Sequence, residues 1–235
     1  MQTISITWLG HSTFVLVTPA GQRVLVDPWL GNPTCPPALS KPAALLPIDL
    51  ILATHGHADH IGDLVAVARA SNAPVVCIFE LGLYLTSKGL QGVRDMGVGG
   101  TQEVAGLTVT MVPAVHSSSV VDSERIVYLG TAAGYVLRQH GMPTIYVAGD
   151  TALFGDMKII RELYAPDIAL LPIGDHYTMG PDTAAIAARW LGVRQVVPMH
   201  YGTFPLLRGT PGELRKNLAG SGIDVLELKA GEPSV

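Results

Sequence analysis

Charge is scarce in this chain. Of its 235 residues 14% are charged and 48% hydrophobic, which excludes a segment too polar to bury itself. Cationic clusters are missing as well. The 15 Lys and Arg are scattered singly against 19 Asp and Glu, with Arg215-Lys216 the one adjacent pair, and the net charge is −4. A nucleic-acid surface is therefore not expected. With two cysteines the chain has no disulfide framework. Cys77, in Val75-Val76-Cys77-Ile78-Phe79, reads as a buried apolar filler; Cys35, between Thr34 and Pro36, reads as a loop residue. Membrane-spanning runs are lacking too. The stretch Val104 to Val121 is free of Asp, Glu, Lys and Arg but contains Pro113, His116 and three serines, so it is no transmembrane helix. The N-terminus shows no basic region followed by a long apolar core, and the expected compartment is the cytoplasm.

What is present suffices for a core without staples. A monomer of 24.8 kDa should expose roughly 10,000 Å² of the roughly 36,000 Å² of its extended chain. Gly (26) and Pro (17) together make about 18% of the sequence, against roughly 12% on average. They punctuate short apolar runs into strands and turns. Ile4 to Trp8, Thr13 to Thr18 and Arg23 to Asp27 read as three consecutive antiparallel strands. A Pro-rich loop, Gly31 to Pro47, precedes the buried strand Ile48 to Ala53. The period then changes: His60 to Ala70 puts Ile61, Leu64, Val65 and Ala68 on one helical face. Strands are expected at Pro74 to Phe79, Leu107 to Val115, Ile126 to Leu137 (interrupted by small residues) and Thr144 to Ala148, with a helix at Leu81 to Lys88. Beyond them helices (Asp156 to Tyr164, Asp182 to Leu191, Pro211 to Leu218) alternate with strands (Asp167 to Leu171, Gln195 to Pro198, Asp224 to Leu228). No linker or repeat divides the chain, so residues 1–235 read as a single α+β domain, with two sheets face to face and helices outside.

Seven of the eight histidines lie next to strand ends or turn residues, where binding groups tend to be displayed. The densest group is Thr54-His55-Gly56-His57-Ala58-Asp59-His60, directly after a buried strand. A lone histidine is more often structural than a ligand, but four ligand-type residues within six positions cannot all be satisfied core side chains. His55 and His57, two apart on an extended turn, point the same way and can share one metal; Asp59 and His60 open a helix and point towards a second. Each cation wants three or four N/O ligands. Three further strand ends offer them: His116 after Leu107 to Val115, Asp150 in Ala148-Gly149-Asp150-Thr151, and His200 after Val196-Val197-Pro198-Met199. His140 sits in a surface turn and is no ligand.

In order and spacing these residues resemble the binuclear metallo-β-lactamase superfamily, over Trp8 to Phe204. Four further segments look like its bacterial and archaeal metal-dependent hydrolase branch, which includes L-ascorbate-6-phosphate lactonases. They are Trp8-Leu9-Gly10-His11-Ser12, Asp27-Pro28-Trp29-Leu30, Gly174-Asp175-His176-Tyr177-Thr178-Met179-Gly180-Pro181 and Pro198-Met199-His200-Tyr201-Gly202-Thr203-Phe204-Pro205. The resemblance implies a four-layer αββα sandwich. It also implies a first metal on His55, His57 and His116, a second on Asp59, His60 and His200, and Asp150 bridging both beside a hydroxide. Asp27 would brace the metal loop. β-Lactamases proper commonly carry Cys where Asp150 stands. Diiron flavoproteins carry an acidic residue where His57 stands, and no flavin domain is present. The first departure disfavours antibiotic hydrolysis, and both favour hydrolysis over redox chemistry.

The expected activity is hydrolysis of a small ester or lactone by a hydroxide that two cations activate. Asp59 would orient that hydroxide, and His176 or His11 would position the substrate or protonate its leaving group. Tyr201 and Thr203 are further candidates to line the pocket. His-rich ligands suit Zn²⁺ or Ni²⁺, and the carboxylates admit Mn²⁺ or Fe²⁺. A phosphodiesterase is the alternative, since two metals also clamp attacking and leaving oxygens. A non-enzymatic metal-binding protein would need its open coordination position blocked. The loop Gly31 to Pro47 reads as a stiff wall and Gly174 to Pro181 as a polar lip, both flanking the metal centre. The expected partner is a small, neutral or singly anionic molecule, with neither nucleic acid nor membrane; a homo-oligomer is left open.

Overall fold

The computed structural model describes residues 3–234. Two large sheets carry the fold. The first runs β1 (Ser5–Trp8), β2 (Phe14–Val17), β3 (Arg23–Val26), β4 (Leu50–Leu52), β5 (Val75–Ile78), β6 (Val93–Met96) in spatial order. Its pairing is antiparallel through β1–β2–β3 and parallel from β3 to β6. The second contains β7 (Thr101–Val104), β8 (Leu107–Pro113), β11 (Ala133–Arg138), β12 (Ile145–Val147), β13 (Ile168–Pro172), β14 (Gln195–Met199) and β15 (Asp224–Val225), in the order β15-β14-β13-β12-β11-β8-β7. A separate hairpin, β9 (Ser119–Asp122) with β10 (Arg125–Tyr128), projects between them in sequence.

The inner faces are near-continuous apolar runs, as sheets covered on both sides require. All of β4, β5, β12 and β13 is buried. Tyr135 of β11, fully buried, sends its hydroxyl across to the carbonyls of Ala53 and Val76 at 2.8 and 3.2 Å. One side chain thus fixes the second sheet against the first. Helices α2 (Leu64–Ser71) and α3 (Phe79–Ser87) flank the first sheet; α4 (Met157–Tyr164), α5 (Pro181–Leu191) and α6 (Pro211–Asn217) flank the second. The result is a four-layer αββα sandwich exposing 9952 Å². No described helix is long and apolar enough to cross a membrane.

Three departures from the sequence reading have physical causes. The helix expected over His60 to Ala70 is split into α1 (Ala58–Ile61) and α2. Asp63 stands non-helical between them and accepts the backbone N–H groups of Leu30 and Gly31 at 2.6 and 3.1 Å. The strand expected over Ile126 to Leu137 is two strands, β10 and β11, parted around Gly130 at φ +84°. The loop Gly31 to Pro47 winds into two short 3₁₀ turns, Pro37–Leu39 and Pro42–Leu45, and packs over β1–β3 and α2. Lastly, residues 231–234 lie along β1. Gly231 and Ser234 donate their N–H groups to the carbonyls of Trp8 and Ile6, both at 2.8 Å, and Ile6 N–H donates to the Ser234 hydroxyl at 2.9 Å.

Candidate metal centre

Strand direction decides where the chemistry gathers. In the first sheet β1, β3, β4 and β5 run the same way, and in the second β8, β12, β13 and β14 do. The turns that follow them carry His11, Asp27, Thr54 to His60, His116, Asp150 and His200, at the carboxyl ends where open sheets place ligands. Three of these residues, His11, Asp27 and His200, adopt positive φ (52°, 44° and 54°), a conformation that L-residues rarely hold away from functional corners. Glycines let the backbone close in. A Cβ on Gly56, between His55 and His57, would lie 2.4 Å from a Leu129 methyl; Gly149, before Asp150, sits at φ +62°.

Around Asp150 four imidazoles converge on one oxygen. Asp150 Oδ2 lies 3.0 Å from His200 Nε2, 3.3 Å from His60 Nε2, 3.6 Å from His116 Nε2 and 3.9 Å from His55 Nε2. The rings are turned by a second layer of bonds. Asp27 accepts the Thr54 N–H at 2.8 Å and its hydroxyl at 2.7 Å, and the His60 Nδ1–H at 2.8 Å. Because the Thr54 proton is spent on Asp27, its Oγ1 accepts from His55 Nδ1 at 3.0 Å, which leaves the His55 Nε2 lone pair facing His57 Nδ1 at 2.9 Å. His57 Nε2 meets the Ser117 hydroxyl at 3.3 Å.

His11, fully buried, has both ring nitrogens engaged: Nδ1 with Thr203 Oγ1 at 2.9 Å and Nε2 with Asp59 Oδ2 at 3.1 Å. Its carbonyl accepts the Trp8 indole N–H at 2.9 Å and the His200 N–H at 3.0 Å. Ligand-type atoms fall into three groups, each within 4.8 Å: His55, His57 and His116; His11, Asp59, His60 and His200; and His55, His60 and Asp150.

Burial opposes the Asp150 carboxylate, yet His60 and His200 outweigh it and hold the carboxyl well below its usual range. Burial likewise opposes the charged form of His60, but Asp150 and Asp27 prevail and hold its pKa well above that of ordinary imidazole. Burial keeps His55, His57 and His116 below the ordinary imidazole range and takes His11 down to about 4. Asp59 is also held low, the His11 hydrogen bond and the His60 charge overriding its burial. Except at His60, whose proton a cation would have to displace, these are the protonation states that cation ligands need. Two buried atoms, His60 Nε2 and Asp150 Oδ1, have no hydrogen-bond partner among the described residues, so the donor set fits divalent cations between them.

A scan of family models matches residues 22–201 to the beta-lactamase superfamily domain. The chain belongs to the metallo-β-lactamase superfamily. It is 51% identical to a UPF0173 metal-dependent hydrolase of Koribacter versatilis, covering 99% of this chain and 98% of that one. With one from Methanopyrus kandleri it shares 46% over 97% of each. Among solved structures, Igni18, a metallo hydrolase of Ignicoccus hospitalis, superposes with a TM-score of 0.88 at 37% identity, covering 98% of this chain and 97% of that one. The chain is thus a metal-dependent hydrolase.

A cavity of about 700 Å³ opens over this hydrolase's centre, lined by His57, Asp59, His116, Ser117, Asp150 and His200 and, opposite, by Tyr177, Phe204, Pro205 and Leu206. Several residues that the sequence offers as pocket-lining lie outside the cavity's lining. His176 is exposed and outside the lining, because the loop turns at positive φ through Asp175 and His176 and presents Tyr177 instead. The Pro-rich loop Gly31 to Pro47 contributes nothing to the wall. Tyr201 stacks on Trp8, with centroids 5.2 Å apart, and Thr203 bonds His11, so neither lines the cavity. The sequence gives no sign that Ser117 and Leu206 line the cavity, and Phe204 and Pro205 stand in it only within a family-like segment. Adjacency to His116 could flag Ser117. His140 is exposed. Both cysteines are buried and free, and burial pushes the Cys77 thiol up to about 12.

Proposed function

We propose that this hydrolase binds two divalent cations, one on His55, His57 and His116, the other on Asp59, His60 and His200, with Asp150 shared, and cleaves a small carboxylic ester or lactone. The carrying observation is the cavity: it joins the His/Asp cluster to an uncharged wall, and no Lys or Arg is among its described lining residues. A phosphodiester of nucleic acid would need cationic walls to track its backbone. Cations held here would polarise the carbonyl and supply hydroxide near neutral pH; the mixed N/O set admits Zn²⁺, Ni²⁺, Mn²⁺ or Fe²⁺.

The chain's own residues supply placement. Asp59 lines the cavity as a carboxylate and orients the attacking hydroxide. His11 is a positioning residue: with Thr203 behind it, it fixes the Asp59 carboxylate, and its burial keeps it from the leaving group. Asp27 orients His60 directly and His55 through Thr54. The test is protein loaded with each cation in turn and offered lactones, carboxylic esters and small phosphodiesters. Turnover of lactones or esters is expected. Cleavage of phosphodiesters alone overturns the reading.

A further inference from the structure

The cavity is two-faced. One side is the His/Asp cluster; the other is Tyr177, Phe204, Pro205 and Leu206. That apolar side is held in place. The Phe204 ring stacks on Trp29 with centroids 5.9 Å apart and meets His11 edge-on at 5.6 Å. Leu207 N–H closes a turn on the Phe204 carbonyl at 3.0 Å, and the buried Leu207 side chain anchors that turn. Gly209 N–H donates to the Gly174 carbonyl at 3.2 Å, tying this loop to the one that carries Tyr177. Met179 N–H donates to the Thr151 carbonyl at 3.1 Å, tying that second loop to the residue after Asp150. The distance from cluster to wall is thereby fixed before any ligand arrives.

Tyr177 and Leu206 remain 52% and 44% exposed at the mouth. Large apolar side chains left uncovered beside a preformed site are surface that a ligand can bury. Among the described lining residues none is Lys or Arg, and the carboxylates of Asp59 and Asp150 belong to the cation cluster, so the wall offers nothing to pair with an anionic tail.

We infer that the substrate carries an uncharged aliphatic or aromatic group that lies on the Tyr177–Phe204–Leu206 wall while its carbonyl faces the His/Asp cluster, and that Leu206 and Tyr177 set the accepted chain length. The inference rests on the ester or lactone reading for the carbonyl alone; the wall recognises the remainder. Burying a methylene is worth about 0.8 kcal/mol, or about fourfold in affinity. Straight-chain alkyl hydroxamic acids measure this without any bond being cleaved. Titrated calorimetrically into the cation-loaded protein, they should bind about fourfold more tightly per added methylene until the wall is covered.

Leu206→Ser and Tyr177→Ser should flatten that slope. Leu206→Arg should shift preference to hydroxamates ending in a carboxylate. A slope absent from the wild type, or unchanged in both serine variants, overturns the inference. Retention of the slope with no ester or lactone turned over keeps the wall and removes the ester reading. Ester turnover without a slope does the reverse.

Discussion

Of the two groups of side chains around Asp150, His55, His57 and His116 include two half-buried rings that face the cavity, whereas the second is largely sealed: His60, His200 and the bracing His11 are buried and Asp59 is half-buried at the cavity. The sealed group is cross-braced. Asp27 holds His60, His11 holds Asp59, and the His11 carbonyl holds the His200 backbone. In the open group, His55 is fixed through Thr54, His57 meets His55 Nε2 at 2.9 Å and the Ser117 hydroxyl at 3.3 Å, and His116 has no side-chain hydrogen bond among those described. The contrast teaches that preorganisation is spent on the second cluster, while the first stays adjustable where substrate enters.

The harshest way to break the comparison is to remove what both groups share. Asp150→Asn should lower cation content from two per chain to one or none and cut turnover by more than about a hundredfold, the upper cost of losing mere outer support. Elemental analysis beside initial rates checks it; two tightly held cations with full activity would take Asp150 out of the centre. Next, His200→Ala should leave about one cation per chain, on His55, His57 and His116, with hydrolysis strongly reduced. Equal loss of both cations would mean that the two groups do not act separately.

His11 sharpens the comparison because its two nitrogens can be tested apart. Asn mimics the Nδ1 reach to Thr203, and Gln mimics the Nε2 reach to Asp59. His11→Asn should weaken cation binding at the sealed cluster about 10- to 100-fold, and His11→Gln should recover part of it. Equal affinities in the two variants would deny His11 its hold on Asp59.

A pH effect of up to about tenfold per unit follows from His60. Its raised pKa means that, without cation, the ring holds a proton paired with Asp27 and Asp150. That pairing stabilises the cation-free fold fully below the unfolded imidazole pKa and is lost as pH rises through the raised folded value. Cation binding must expel the proton, so affinity should rise with pH and calorimetry in buffers of different ionisation enthalpy should show proton release. Affinity that falls with rising pH would contradict it. The smallest effect is expected at His176, exposed and outside the lining: His176→Ala should keep turnover within about twofold of wild type. A larger loss would mean that the Tyr177 loop places His176 over the substrate.

Legibility in the sequence tracked compression. His55 to His60 stood out because four ligand types crowd six positions, and Asp150 and His200 because each ends a short apolar run. The strands that went unread are polar borders: β6 is Val-Arg-Asp-Met with its central pair exposed, and β7 is Thr-Gln-Glu-Val. Neither alternates strongly enough to show a period. The hairpin β9–β10 is legible only in part, β10 as the start of a longer strand, for the opposite reason: Val121, Ile126 and Tyr128 are apolar yet exposed, at 71%, 80% and 66%. The hold of His11 on Asp59 leaves no local trace because its two partners, Asp59 and Thr203, lie 48 and 192 residues away.

The segment laid along β1 has a consequence for solubility. β1 is the border of the six-stranded sheet, and a bare border strand is a template on which another chain can pair. Residues 231–234 take up the carbonyls of Ile6 and Trp8 and the N–H of Ile6. Pro233, bridged to Thr7, has no N–H to offer a newcomer. Gly231 permits the close approach: it sits at φ +82°, and a Cβ there would fall 2.8 Å from Pro36. A bulkier residue at that position would lift the strip away. Its damage would surface as concentration-dependent self-association.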